Sequence, residues 1–124
     1  MERVLKDLAC PNKELSILFT DDKRITQLNN RYLGRNASTN VLAFPMPAQL
    51  TAKAESTILG DVVISVDTAL REAGELGETF EYIIDRLMIH GVLHLLGYDH
   101  EKSTAEAEGM EKEEERLMAL IRGN

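Results

Sequence analysis

His90-Gly91-Val92-Leu93-His94-Leu95-Leu96-Gly97-Tyr98-Asp99-His100 contains all three histidines of this 124-residue chain. They read H-x3-H-x5-H. On a helix, His90 and His94 stand one turn apart and project from one face. Gly97 falls where such a helix stops, because glycine readily takes the left-handed conformation that ends it. The chain then folds back and can bring His100 to the same point. Three neutral imidazoles with an open fourth position are the ligand set of a catalytic zinc ion. The same ligands also accept nickel, copper or iron, and zinc is the first choice for three histidines. The plainer alternative is a pair of core histidines satisfied by hydrogen bonds, with His100 on the surface. The spacing favours the metal.

Leu87, Met88, Ile89, Val92, Leu93, Leu95 and Leu96 make the segment apolar nearly all round, as expected of a buried central helix. Two imidazoles buried there without partners would be costly, and a metal offsets that cost. The spacing also matches H-E-x-x-H-x-x-G-x-x-H, the zinc signature of one peptidase class. Where that pattern has the glutamate that takes a proton from water, this chain has Gly91. The metal cage is kept and the peptidase base is missing, which argues against peptide hydrolysis.

The length suits one domain, residues 1–124, with one core. No apolar run reaches membrane-spanning length, and Met1-Glu2-Arg3-Val4 does not begin a signal peptide. The one cysteine, Cys10, can form no internal disulfide, so a reducing, cytoplasmic setting is expected and no membrane partner. A formal net charge of -7 excludes a generally basic nucleic-acid binder. The charge is uneven, however. Acidic residues crowd between Glu101 and Glu115, whereas Lys23, Arg24, Arg31, Arg35 and Lys53 offer a local basic patch.

The chain reads in order as follows. Glu2 to Ala9 is a short helix, and Cys10-Pro11-Asn12-Lys13 a break. Leu15, Ile17 and Phe19 mark the inner face of a half-buried strand. Thr20-Asp21-Asp22 starts a helix whose apolar face is Ile25, Leu28 and Tyr32. Val41 to Phe44 is a short strand ended by Pro45, and Pro45 to Thr57 a surface loop. Ile58 to Ser65 is the strongest strand signal. Asp67 to Leu76 is an amphipathic helix capped near Ser65 and closed by Gly77, or frayed earlier at Gly74. Thr79 caps the central helix, Phe80 to Leu96, with Phe80, Ile84 and Leu87 inward and Glu81, Asp85 and Arg86 toward solvent. Ser103 or Thr104 caps a last helix, about Ala105 to Ile121, with Met110, Leu117 and Leu120 inward. Its run Glu111 to Glu115 is expected to be a solvated face. The expected fold is α+β: a single domain with a small mixed β-sheet packed with about five helices, and the metal site on a central helix and the following turn.

Three segments, in this order, resemble the YbeY family of rRNA maturation endoribonucleases. They are Thr39-Asn40-Val41-Leu42-Ala43-Phe44-Pro45, Gly60-Asp61-Val62-Val63-Ile64-Ser65 and the histidine motif. The resemblance runs from about Leu15 to the C-terminus. It implies a zinc-dependent, single-strand-specific endoribonuclease of 16S rRNA 3′-end maturation and ribosome quality control. One zinc ion would be held by His90, His94 and His100. Single-stranded RNA and the small ribosomal subunit would be the partners. Two departures stand out. Family members usually carry an arginine just after the tyrosine that is Tyr32 here, and this chain has Leu33, with Arg31 and Arg35 two residues to either side. The family also has a strand before the first helix. Here that helix begins at Glu2, so the expectation is a sheet lacking one edge strand or a chain start that is misassigned.

Arg31 and Arg35 are therefore the candidates to clamp phosphate, with Arg24 a further choice. Arg35 and Asp99 are the candidates for catalytic roles, Asp99 as a carboxylate that orients a ligating histidine or caps the next helix. Asp61 is expected at a sheet end, and Tyr98 in packing. Attack by metal-activated hydroxide and attack by the ribose 2′-hydroxyl are both compatible with this set. The rivals from other classes are a non-catalytic ribosome-assembly factor with structural zinc and a metal-dependent hydrolase of other substrates.

Overall fold

The computed structural model describes residues 2–8, 13–45, 58–98 and 103–122. In chain order these form α1 (Glu2–Asp7), β1 (Glu14–Thr20), α2 (Asp22–Leu33), β2 (Val41–Pro45), β3 (Ile58–Ser65), α3 (Val66–Leu76), α4 (Phe80–Leu95) and α5 (Thr104–Ile121). The result is the expected small α+β domain. Asp99, His100, Cys10 and the loop expected beyond Pro45 lie outside the described residues. Among the described residues, no helix is long and apolar enough to cross a membrane.

Side chains that satisfy free amide groups start the helices. Asp21 accepts from the Arg24 N–H at 2.8 Å, Thr79 from Tyr82 at 3.1 Å and Ser103 from Glu106 at 3.1 Å. Ser65 does the same for α3, accepting from Thr68 at 3.3 Å. Each such cap contributes about 1 kcal/mol. Gly34 and Gly77 close α2 and α3 in the left-handed conformation.

Among the described residues the sheet has three strands, in the order β1-β3-β2. β1 runs parallel to β3, with Ile17 opposite Val62, and β2 antiparallel to it, with Leu42 opposite Val63. Alternation along β3 sends its side chains to two cores. Val62 and Ile64 meet Ala69 and Ala73 of α3 and Ile83, Ile84 and Leu87 of α4. Val63, with Leu42, meets Ile25 of α2 on the opposite face. A third cluster forms on the far side of α4, where Ile89 and Leu93 meet Val4 of α1 and Met110, Leu117 and Met118 of α5. Helix α4 thus lies between the sheet and the α1–α5 layer, and this explains its apolar circumference.

The contact between α4 and β3 is unusually close. A Cβ at Gly91 would lie 2.7 Å from Val62 Cγ1 and 2.8 Å from its Cγ2. At Gly60 (φ +155°), a Cβ would lie 2.6 Å from the Phe44 carbonyl oxygen and 2.7 Å from Leu95 Cδ2. Two glycines, one on each element, let the histidine-bearing helix rest directly on the central strand.

Some expectations need correcting. Phe19, read as inward, is 51% exposed, because β1 is an edge strand that little covers at that end. Tyr32 is 57% exposed and leans on Phe44, with ring centroids 5.4 Å apart. Pro45 is the last residue of β2 rather than the residue after it, opposite Gly60 at the sheet's edge, where a missing N–H costs little. Asp85 and Arg86 are half-buried, because α3 and α5 flank α4 where open solvent was expected.

A polar junction lies far from the histidines in sequence. The Asp22 carboxylate accepts from the Ser65 and Thr68 hydroxyls, each at 2.6 Å, and pairs with Arg71 at 2.7 Å. These hydrogen bonds, that from Ser65 above all, hold its pKa down to about 2. One carboxylate thereby joins α2, the end of β3 and α3.

Candidate metal centre

His90 and His94 project from the same face of α4, as their spacing requires. Their ring centroids are 4.9 Å apart and their planes meet at 68°. Both are half-buried. The helix ends just beyond them. The Gly97 N–H donates to the His94 carbonyl and the Tyr98 N–H to that of Leu93, each at 3.0 Å, with Gly97 at φ +103°. This is the glycine turn expected from the sequence. His100 itself lies outside the described residues. Among those described, no group of three histidine, cysteine, aspartate or glutamate side chains is placed to hold a metal ion.

A cleft of about 340 Å³ opens beside His90 between α4 and α5. Asn40, Arg86, Met110, Glu111 and Glu114 contribute to its walls. Glu114 reaches across the seam from α5, and its Oε1 is hydrogen-bonded to Nδ1 of His90. Asn40, at the mouth of β2, donates to Glu72 of α3 at 2.8 Å, and the other oxygen of Glu72 lies 3.9 Å from Arg86. The backbone N–H of Ser65 donates to the Asn40 carbonyl at 3.0 Å, which ties this corner to the end of β3. Arg86, one turn before His90 on the same face of α4, is the cation among the described residues of the cleft wall.

The arginines singled out from the sequence lie elsewhere. Arg31 sits in the last turn of α2, its guanidinium 5.4 Å from the centroid of the Tyr32 ring. Arg35 follows the Gly34 turn, and both are exposed. Neither lines the cleft beside His90. Arg24 lies on the exposed side of α2, near Gln27. Leu33, where family members carry arginine, is 51% exposed. Asp61, expected at a sheet end, instead lies within β3, exposed and paired with Ser16 on one side and Phe44 on the other, because the strand already begins at Ile58. Tyr98 packs against the α4–α5 cluster, as expected. The glutamate run is not wholly a solvated face, since Glu114 turns inward to His90. Met110, Glu114, Leu117 and Met118 fall at i, i+4, i+7 and i+8, the inner stripe of α5. That spacing was the available signal.

Comparison with known proteins agrees with this architecture. The sequence matches the family described as endoribonuclease YbeY over residues 1–122. The chain belongs to the YbeY family. An endoribonuclease YbeY of Syntrophotalea carbinolica is 48% identical over 122 residues, covering 98% of this chain and 81% of that protein. One from Geobacter metallireducens is 43% identical over 121 residues, covering 97% and 81%. The solution structure of TM1509 from Thermotoga maritima superposes with a TM-score of 0.69 at 24% identity, covering 98% of this chain and 76% of that one. That likeness is one of fold. Within the YbeY frame, the Gly91 packing gains meaning. Here the position of the peptidase base faces Val62 and the sheet, where no longer side chain fits.

Proposed function

We propose that this YbeY-family chain is a zinc-dependent, single-strand-specific endoribonuclease acting in 16S rRNA 3′-end maturation and ribosome quality control in the cytoplasm. His90, His94 and His100 would hold the zinc ion. The observation that carries this reading is the pair of neighbouring imidazoles on α4, beside a cleft, in a chain of this family. The donor set fits the ion: zinc takes imidazole nitrogens readily, and a carboxylate on the far ring nitrogen is its usual support. When bound, zinc supplies a Lewis acid and lowers the pKa of water toward neutrality.

The remaining work falls to this chain's own groups. Arg86 holds a phosphate against the cleft wall, where a guanidinium fork matches two phosphate oxygens. Arg31 and Arg35 take further phosphates of the strand on the α2 side, Arg35 in place of the arginine that Leu33 replaces. The exposed Tyr32 ring, backed by Phe44, offers a stacking surface for an unpaired base. Asp99 is the carboxylate proposed either to orient a ligating histidine or to cap the next helix. Gly91 stands where the peptidase pattern has its base, which argues against peptides as substrates.

The test is cleavage of a single-stranded RNA by zinc-loaded protein beside His94→Ala at equal purity. Activity in the first alone supports the reading. Equal activity in both points to a contaminating nuclease and sinks it. Zinc binding without cleavage by the parent favours an assembly factor. In that case Leu33→Arg is the first restoration to make, since its exposed site accepts the longer side chain.

A further inference from the structure

We infer that Glu114 is a positioning residue for the metal centre: by holding Nδ1 of His90, it presents Nε2 of that ring to the ion. The inference rests on the zinc reading above.

Three observations carry it. First, Glu114 and His90 meet side chain to side chain across the α4–α5 seam, Oε1 to Nδ1. An imidazole has two nitrogens, and a neutral ring with its proton on Nδ1 keeps its lone pair on Nε2. A carboxylate at Nδ1 selects that tautomer and makes Nε2 the better donor to a metal. Second, neither partner is free to wander. Their side chains are 24% and 19% exposed, and Met110, Leu117 and Met118 fix α5 against Ile89 and Leu93 of α4. Third, Glu114 differs from its neighbours in the glutamate run. Glu113 is bound to Arg116 at 2.8 Å, and Glu111 and Glu115 are exposed. Among the described residues, Glu114 is the one of the four that is bonded to a histidine.

The last helix therefore has a share in the metal site although it contributes no ligand. Its docking sets the angle of the His90 ring, and the ring sets the direction of one bond to the ion.

The experiment measures zinc affinity, by competition with a chromophoric chelator, for the parent, Glu114→Ala, Glu114→Gln and Glu113→Ala. Glu114→Ala is expected to weaken zinc binding by roughly 10- to 100-fold. Glu114→Gln keeps an oxygen acceptor for the Nδ1 proton and is expected to fall between Ala and the parent. Glu113→Ala should bind zinc like the parent. Should Glu114→Ala fail to fold, the Gln variant still reads the effect. Nitrogen-detected NMR of the zinc-loaded parent should show His90 protonated at Nδ1 and ligated through Nε2. Unchanged affinity in Glu114→Ala, or ligation through Nδ1, overturns the inference while leaving the zinc reading intact. A parent that binds no zinc overturns both.

Discussion

Asp22 and Glu114 are each a carboxylate that one helix carries to donors on other elements, and they are put to different use. Asp22 receives two hydroxyls and a guanidinium, all from the chain itself. Nothing is passed beyond those donors, and the junction fastens α2, β3 and α3 together. Glu114 receives a ring that has a second nitrogen and stands in the wall of a cleft. Its influence goes through the imidazole to whatever that ring binds. The comparison teaches that the partner, rather than the burial, separates a fastener from a functional carboxylate.

The comparison is sharpest where the two sites are broken separately. His94→Ala should reduce RNA cleavage on the order of a hundredfold or more while leaving the urea midpoint nearly unchanged. Asp22→Ala should do the reverse. It leaves two hydroxyls and a guanidinium without their acceptor, at a cost of about 2–3 kcal/mol in urea denaturation. The folded fraction should cleave RNA at the parental rate. If Asp22→Ala abolishes cleavage in protein that circular dichroism shows to be folded, the division between the two sites is wrong.

Gly91→Ala probes the floor beneath the histidines. A methyl group at that position must displace Val62 or lift α4, which should cost about 1–3 kcal/mol and lower the melting temperature. A melting temperature equal to the parent's would show that the helix does not sit as closely as described.

Acid tests the Asp22 junction in another way. Asp22 has its folded-state pKa held to about 2, below the ordinary 3.8. Its contribution to stability is therefore fully present above about pH 4 and is lost as pH falls from there toward 2. Asp22→Asn should flatten the fall of stability in that window. A profile as steep as the parent's would assign the acid sensitivity to other groups. The smallest effect is expected at Arg116, which joins Asp7 of α1 to Glu113 of α5 at 2.6 and 2.8 Å. Hydrogen bonds to Arg116 lower the pKa of both carboxylates. The bridge is half open to water, and Arg116→Ala should lower the melting temperature by at most about 4 °C.

Much of this was legible in the sequence because it depended on local chemistry. Asp21, Ser65, Thr79 and Ser103 could be read as caps, and Gly77 and Gly97 as stops, since each acts within four residues of itself. The pairing of His90 with His94 followed from helical spacing alone. What depended on neighbours distant in sequence was not legible. Phe19 alternates correctly for an inward residue, yet it lies near the end of an edge strand. Arg86 looked solvent-facing until α3 and α5 were placed beside α4. Glu114 lay inside a charged run, and composition masked its inner spacing. The β1–β3 pairing joins segments whose partners, such as Ser16 and Asp61, stand 45 residues apart in sequence. No local pattern announces such a contact.

The seat of Gly91 on Val62 also constrains the order in which this sequence can change. A single replacement at position 91 meets the side chain of Val62, so even alanine is penalised before any new chemistry arises. Were Val62 first reduced to alanine, the same replacement would meet less resistance, and the two substitutions together should cost less than the sum of each alone. A route from this helix to one carrying glutamate beside its first histidine thus passes through the central strand. The chemistry open to this scaffold's descendants is restricted by a valine that touches no substrate.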